Sequence, residues 1–183
     1  VTRWAGPRIR LLAGIAGLML LLQLANSLSG QALNAWGLLP RHLDGLPGIL
    51  FAPWLHGSWA HLASNLPGLL VLGWLAMLGG IRAFLLASAS IILGSGLLVW
   101  LFGRTGMHVG ASGWLFGLWA LLLVRAWFQR SWLDLLVAAL VLFYYGGWVS
   151  GLLPQSGVSF EYHIAGALCG GLYAALARPR RTT

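Results

Sequence analysis

Apolar residues run through this chain in long, nearly unbroken stretches, without the stripes that mark water-facing helices or strands. Six stretches stand out, at about residues 9–25, 59–78, 83–102, 112–128, 133–149 and 161–177, set apart by glycine, proline and arginine. Each approaches the roughly 20 residues that carry a helix across about 30 Å of hydrocarbon. The pattern predicts an all-α polytopic membrane protein, a single domain over residues 1–183 built from six transmembrane helices. One connection is long. Residues 27–58 hold Pro40, Pro47 and Pro53 with Arg41, His42 and Asp44, but also Trp36, Leu38, Leu39, Leu43, Leu46 and Trp54. That mixture predicts short helices lying in the membrane surface between the first two spans.

Composition agrees with a lipid solvent. Of 183 residues, 59% are hydrophobic and 8% charged, where a soluble domain carries about a quarter charged. The net charge of +8 comes from eleven arginines placed singly or in twos between apolar runs. No aromatic-interleaved basic patch forms, so nucleic acid is not an expected partner. The arginines orient the bundle instead. With the N-terminus inside, inner segments hold Arg3, Arg8, Arg10, Arg82, Arg125, Arg130, Arg178, Arg180 and Arg181, and outer segments only Arg41 and Arg104. This bias predicts both termini in the cytoplasm. It also favours a retained first helix over a cleaved leader ending near Ala25. Trp100 and Trp148 then fall at the outer interface, Trp127 and Trp132 at the inner one. The single cysteine, Cys169, excludes an internal disulfide and a cysteine-based zinc site.

Against this background the polar residues inside spans carry the chemistry, because each is costly in lipid. Gly110-Ala111-Ser112-Gly113 opens the fourth span. Alone it reads as a packing contact, since Gly113-x-x-x-Gly117 is a small-xxx-small pair. The second span contributes His61 and Asn65, four apart and hence on one face. The sixth contributes His163 in its first turn, followed by Gly166-x-x-x-Gly170. Spans two, four and six all begin on the outer side, so His61, Asn65, Ser112 and His163 reach similar depth, within about two helical turns of the outer surface. Packing the two glycine faces would bring Ser112 beside His163. A serine hydroxyl needs a base, and an imidazole is one near neutral pH. Acyl transfer also needs donors for an oxyanion, and His61, Asn65 and the Ser112 amide are available. Asp134 lies at the other end, Asp44 is far along a loop, and Glu161 does not share the His163 face. The pattern points to a Ser–His dyad.

Other readings are weaker. A metal site using His56, His61 and His163 lacks His-Glu-x-x-His spacing and neighbouring acids, so no metal or cofactor is expected. The Gly-x-Ser-x-Gly elbow of soluble hydrolases is excluded by Trp114. A transporter would want broken helices around a midplane site. Arg104 and His108 belong to an outer loop, capping it or meeting headgroups.

Three blocks resemble the rhomboid intramembrane serine proteases. They are His56-Gly-Ser-Trp-Ala-His61-Leu-Ala-Ser-Asn65, His108-Val-Gly110-Ala-Ser112-Gly113-Trp-Leu-Phe116-Gly117, and His163-Ile-Ala-Gly166-Ala-Leu-Cys-Gly170. The resemblance covers about residues 53–177. It implies a six-helix rhomboid-like bundle with a long outer loop between helices one and two. It implies Ser112 as nucleophile, His163 as base, and His61, Asn65 and the Ser112 amide as oxyanion hole. Gly110, Gly113, Gly166 and Gly170 support them. Phe116 stands where the family packs an aromatic on the imidazole, and His56 has a structural place bonding the first loop. The implied partners are the lipid bilayer and single-pass transmembrane substrates cut at small residues. The implied location is a bacterial inner membrane with the active site opening outward. Tyr144, Tyr145, Gly146, Gly147 and the 150–160 linker are the implied gate. The chain departs from the family where many members carry Trp-Arg in the first outer loop; here Pro47-Gly48 stands. The competing function is a catalytically silent rhomboid-like protein that binds membrane clients.

Overall fold

The computed structural model describes residues 2–155 and 157–177. Among them there is no strand, only one isolated antiparallel bridge between Leu38 and His108. Seven α-helices follow one another: α1 Thr2–Leu28, the single turn α2 Gly48–Phe51, α3 Trp59–Ala76, α4 Ile81–Phe102, α5 Ser112–Gln129, α6 Trp132–Tyr145 and α7 Phe160–Leu176. Short 3-10 turns extend α3 to Gly79 and α6 to Leu152. Arg178, Arg180 and Arg181, three of the arginines expected inside, lie outside the described residues, as does Ser156 of the 150–160 linker.

Among the described residues four segments are long and apolar enough to cross a membrane: Arg3–Leu28, Trp59–Gly79, Ile81–Phe102 and Trp132–Leu152. The other two expected spans fall on α5 and α7, of 18 and 17 residues. Both differ from the four for a physical reason. α5 is the central helix, buried nearly all round from Gly113 to Leu122. A helix enclosed by protein is not selected for apolarity against lipid. α7 packs on α5 more extensively than any other pair of helices. It leaves outward only the stripe Ile164, Leu168, Leu172 and Leu176.

The helix ends are written locally. Ser58 caps α3, its hydroxyl accepting from the His61 N–H at 3.0 Å. Ser131 caps α6, its hydroxyl accepting from the Asp134 N–H at 3.1 Å and donating to the Asp134 carboxylate. Arg130, left-handed at φ 52°, closes α5. The α5–α7 contact is backbone on backbone. A Cβ on Gly166 would sit 1.8 Å from the Gly113 carbonyl oxygen, and one on Gly170 1.9 Å from that of Gly117. Only glycine fits at either place.

The 29–58 segment is strapped down rather than loose. Buried Asn26 at the end of α1 donates to Gln31 Oε1 and Asn34 Oδ1, both at 3.0 Å, and to the His56 carbonyl at 3.2 Å. Its own carbonyl oxygen Oδ1 accepts from the Leu33 N–H. At Pro47-Gly48, where a Trp-Arg pair was the alternative, Gly48 lies against the Gly37 backbone, 2.3 Å from any added Cβ. Arg41 donates to the Gly103 carbonyl at 2.7 Å, and Trp100 Nε1 to the His42 carbonyl at 2.9 Å. Leu38 and His108 exchange two backbone bonds, and the Gly110 N–H donates to the Ala52 carbonyl at 2.9 Å. The segment therefore holds the 103–111 connection that leads into Ser112.

Candidate active site

Ser112 is the first residue of α5 and is half-exposed. The chain reaches it through Gly110 at φ +120°, a conformation that favours glycine. The space beside Gly110 is filled by the His61 ring, which lies 2.6–2.7 Å from where a Cβ would be. Ser112 Oγ is 2.9 Å from His163 Nε2. The other ring nitrogen, Nδ1, is 2.8 Å from the Gly151 carbonyl oxygen. A carbonyl only accepts, so the imidazole proton sits on Nδ1 and Nε2 turns a lone pair to the serine hydroxyl. Phe116, one turn along α5 from Ser112, stacks flat on His163 with centroids 4.1 Å apart and planes 7° apart. Trp148 stacks on the far face of Phe116 at 5.0 Å. His163 is 7% exposed; its ring is fixed by a hydrogen bond at each nitrogen and one stack.

His61, Asn65, Ser112 and His163 line one open cavity of about 740 Å³. Asn65 is buried and spends one amide hydrogen on the His61 carbonyl at 2.9 Å, leaving its second. The first turn of α5 contributes backbone N–H groups that no helical partner takes. His56 is outside the cavity. Its Nε2 accepts from the Ala111 N–H at 3.4 Å, and its ring meets His61 edge-on at 5.0 Å. Burial, with the His61 ring as a neighbouring charge, lowers the His56 pKa to about 4 against an opposing bond from the Trp54 backbone. His56 is therefore neutral and bears on the Ser112 approach through the residue before it. Among the described residues no group of three His, Cys, Asp or Glu side chains is placed to hold a metal ion.

Some residues at the site differ from their expected places or carried no sequence signal. Trp148, expected in an interfacial belt, turns inward onto Phe116. Gly151 contributes a carbonyl, which no residue type encodes. Arg104 and His108 do more than cap a loop. Arg104 makes a two-pronged ion pair with Glu161 and donates to the Val158 carbonyl at 3.1 Å. His108 Nδ1 bonds Ser159 Oγ. Both tie the 103–111 connection to the start of α7, through Glu161 two residues and Ser159 four residues before His163. Asp134 is committed elsewhere, to Arg125 at 2.9 Å. A hydroxyl paired with an oriented imidazole, beside unspent donors in an open cavity, is equipped for acyl transfer.

Comparison with known proteins points to one family. A family profile described as Rhomboid domain matches residues 44–180. An uncharacterised protein of Mycobacterium tuberculosis is 41% identical over 184 residues, covering 95% of this chain and 76% of that protein. One of Mycobacterium leprae is 37% identical over 192 residues, covering 99% of this chain and 76% of its own length.

Proposed function

The chain belongs to the rhomboid family, and from that premise we propose that it is an intramembrane serine protease with Ser112 as nucleophile and His163 as general base. The single observation carrying the reading is the Ser112 Oγ–His163 Nε2 pair at 2.9 Å with the Gly151 carbonyl on Nδ1. His163 Nε2 takes the serine proton as Oγ attacks the scissile carbonyl. The Ser112 N–H, the free Asn65 amide hydrogen and the His61 ring receive the oxyanion. The imidazolium, its charge spread against the Phe116 face, returns the proton to the leaving amine. Water then enters the open cavity and His163 repeats the cycle on the acyl-enzyme.

The substrates are transmembrane segments of membrane proteins. A helix satisfies its own backbone in lipid, so a segment must unwind to present a carbonyl to Ser112, which favours small, helix-weakening residues. In this reading α1 and α3 to α7 all cross the membrane, and the concentration of arginines in alternate connections supports both termini in the cytoplasm of a bacterial cell with the site opening outward. The test is labelling of the purified chain by a fluorophosphonate, with cleavage of a model transmembrane substrate. Labelling at Ser112 that is lost in Ser112→Ala and His163→Ala supports the protease. Folded but unlabelled wild type would favour a silent client-binding protein.

A further inference from the structure

A second cavity lies at the other end of the bundle. It measures about 450 Å³ and opens between the start of α4, the end of α5 and the end of α7. Arg125 on its wall is 13 residues along α5 from Ser112, about 20 Å of helix, so the two cavities are separate. Its mouth carries Arg82 and Arg125, and its floor is Phe84, Ala87, Leu121 and Ala174, all buried. Among the described residues no carboxylate lines it. Arg125 gives its Nε to Asp134 at 2.9 Å and, among those residues, makes no other hydrogen bond. Arg82 is exposed and makes no hydrogen bond or ion pair among the described residues.

Arg82 is the second residue of the 22-residue apolar segment Ile81–Phe102; a helix of that length crossing a bilayer sets its second residue where hydrocarbon gives way to headgroups. Phosphates stand at that level, and a basic pocket between helices there attracts anionic headgroups. A free anion would use the mouth but not the floor. One turn below Arg82 the wall is Leu86 and Ala87, a surface suited to the first carbons of an acyl chain. The two halves together match an amphiphile with a phosphate. We propose that this cavity binds an anionic phospholipid, its phosphate on Arg82 and Arg125 and the start of one chain on the apolar floor.

The test uses the full chain in a non-ionic detergent, titrated with phosphatidylglycerol, phosphatidylcholine or inorganic phosphate, and reads the melting temperature. A ligand of the folded state raises it saturably. Phosphatidylglycerol raises it and the other two do not. Arg82→Gln weakens apparent phosphatidylglycerol affinity about fivefold, the loss of one cation near the headgroup, and leaves the lipid-free melting temperature unchanged. Arg10→Gln, which removes an exposed charge away from the cavity, leaves the affinity unchanged. An equal rise with phosphatidylcholine, or wild-type affinity in Arg82→Gln, overturns the proposal. The same saturable rise with inorganic phosphate assigns a free anion and overturns the lipid. Should Arg82→Gln lower the lipid-free melting temperature, native mass spectrometry counts the phosphatidylglycerol retained by each protein. Equal retention overturns the proposal, and reduced retention in the variant upholds it.

Discussion

His163 is held from two directions, and the two holds have different consequences on mutation. The Gly151 carbonyl selects the tautomer; the Phe116 ring sets the plane. An aromatic contact of this kind is worth about 0.5–1.5 kcal/mol beyond its burial. Phe116→Leu, which keeps an apolar side chain and removes the flat face, is expected to lower the cleavage rate by up to about tenfold, while Phe116→Tyr keeps most of it; kinetics on one transmembrane substrate check both. His56 makes a different prediction. Its folded pKa of about 4 lies below the ordinary 6.5, so the unfolded chain binds the extra proton more readily. The stability it gives is fully present above pH 6.5 and lost progressively as pH falls toward 4, on the order of 3 kcal/mol in all. His56→Gln, which retains an acceptor for the Ala111 N–H, should show a shallower loss of melting temperature between pH 7 and 4.5 than wild type. Ser112, His163, His61 and Asn65 were legible in the sequence because a polar side chain inside an apolar run is conspicuous. Gly151 was not, because its contribution is a backbone carbonyl. Trp148 was not, because a tryptophan near a span end reads equally as an interfacial anchor.

Among the elements, α5 and α7 decide whether the pair of residues meets at all. Their glycines at 113, 117, 166 and 170 were read from sequence as small-xxx-small faces, and the helices touch along them, backbone to backbone. A methyl at Gly166 would lie 1.8 Å from the Gly113 carbonyl oxygen, while one at Gly171 meets only Val124 Cγ2 at 3.5 Å. Gly166→Ala is therefore expected to push α7 off α5, destabilising by at least the roughly 1–3 kcal/mol of overpacking and removing activity. Gly171→Ala, on the same helix, should be tolerated. Thermal unfolding and substrate cleavage of the two variants side by side make the comparison. The span limits read from hydropathy differ from the helices by a few residues at most ends. The larger gap is α1, which begins at Thr2 rather than near residue 9, because Arg3, Arg8 and Arg10 interrupt the apolar run without interrupting the helix. The fine structure of residues 29–58 was hidden for another reason. It rests on Asn26 and on backbone carbonyls sixty residues away, and no local pattern reports such partners.

At the scale of the whole molecule, the long 29–58 segment, the 103–111 connection and the start of α7 form one connected rim around the Ser112 cavity. Arg41, Leu38 and Ala52 hold the connection from one side. Arg104 with Glu161, and His108 with Ser159, hold it from the other. The opposite end carries Arg8 on the Met77 carbonyl, Arg82 at the start of α4 and the Arg125–Asp134 pair, with Arg3, Arg10 and Arg130 nearby in sequence. On the proposed function, this rim holds Ser112 where His163 activates it as a nucleophile. Fluorophosphonate labelling of the purified full chain tests it most directly, with peptide mapping of the modified residue. Modification is expected at Ser112 in wild type, none in Ser112→Ala, and at least a hundredfold slower in His163→Ala, in line with the ~10²–10⁴-fold contribution of a positioned base. Labelling of His163→Ala at the wild-type rate, in protein that melts like wild type, would contradict it.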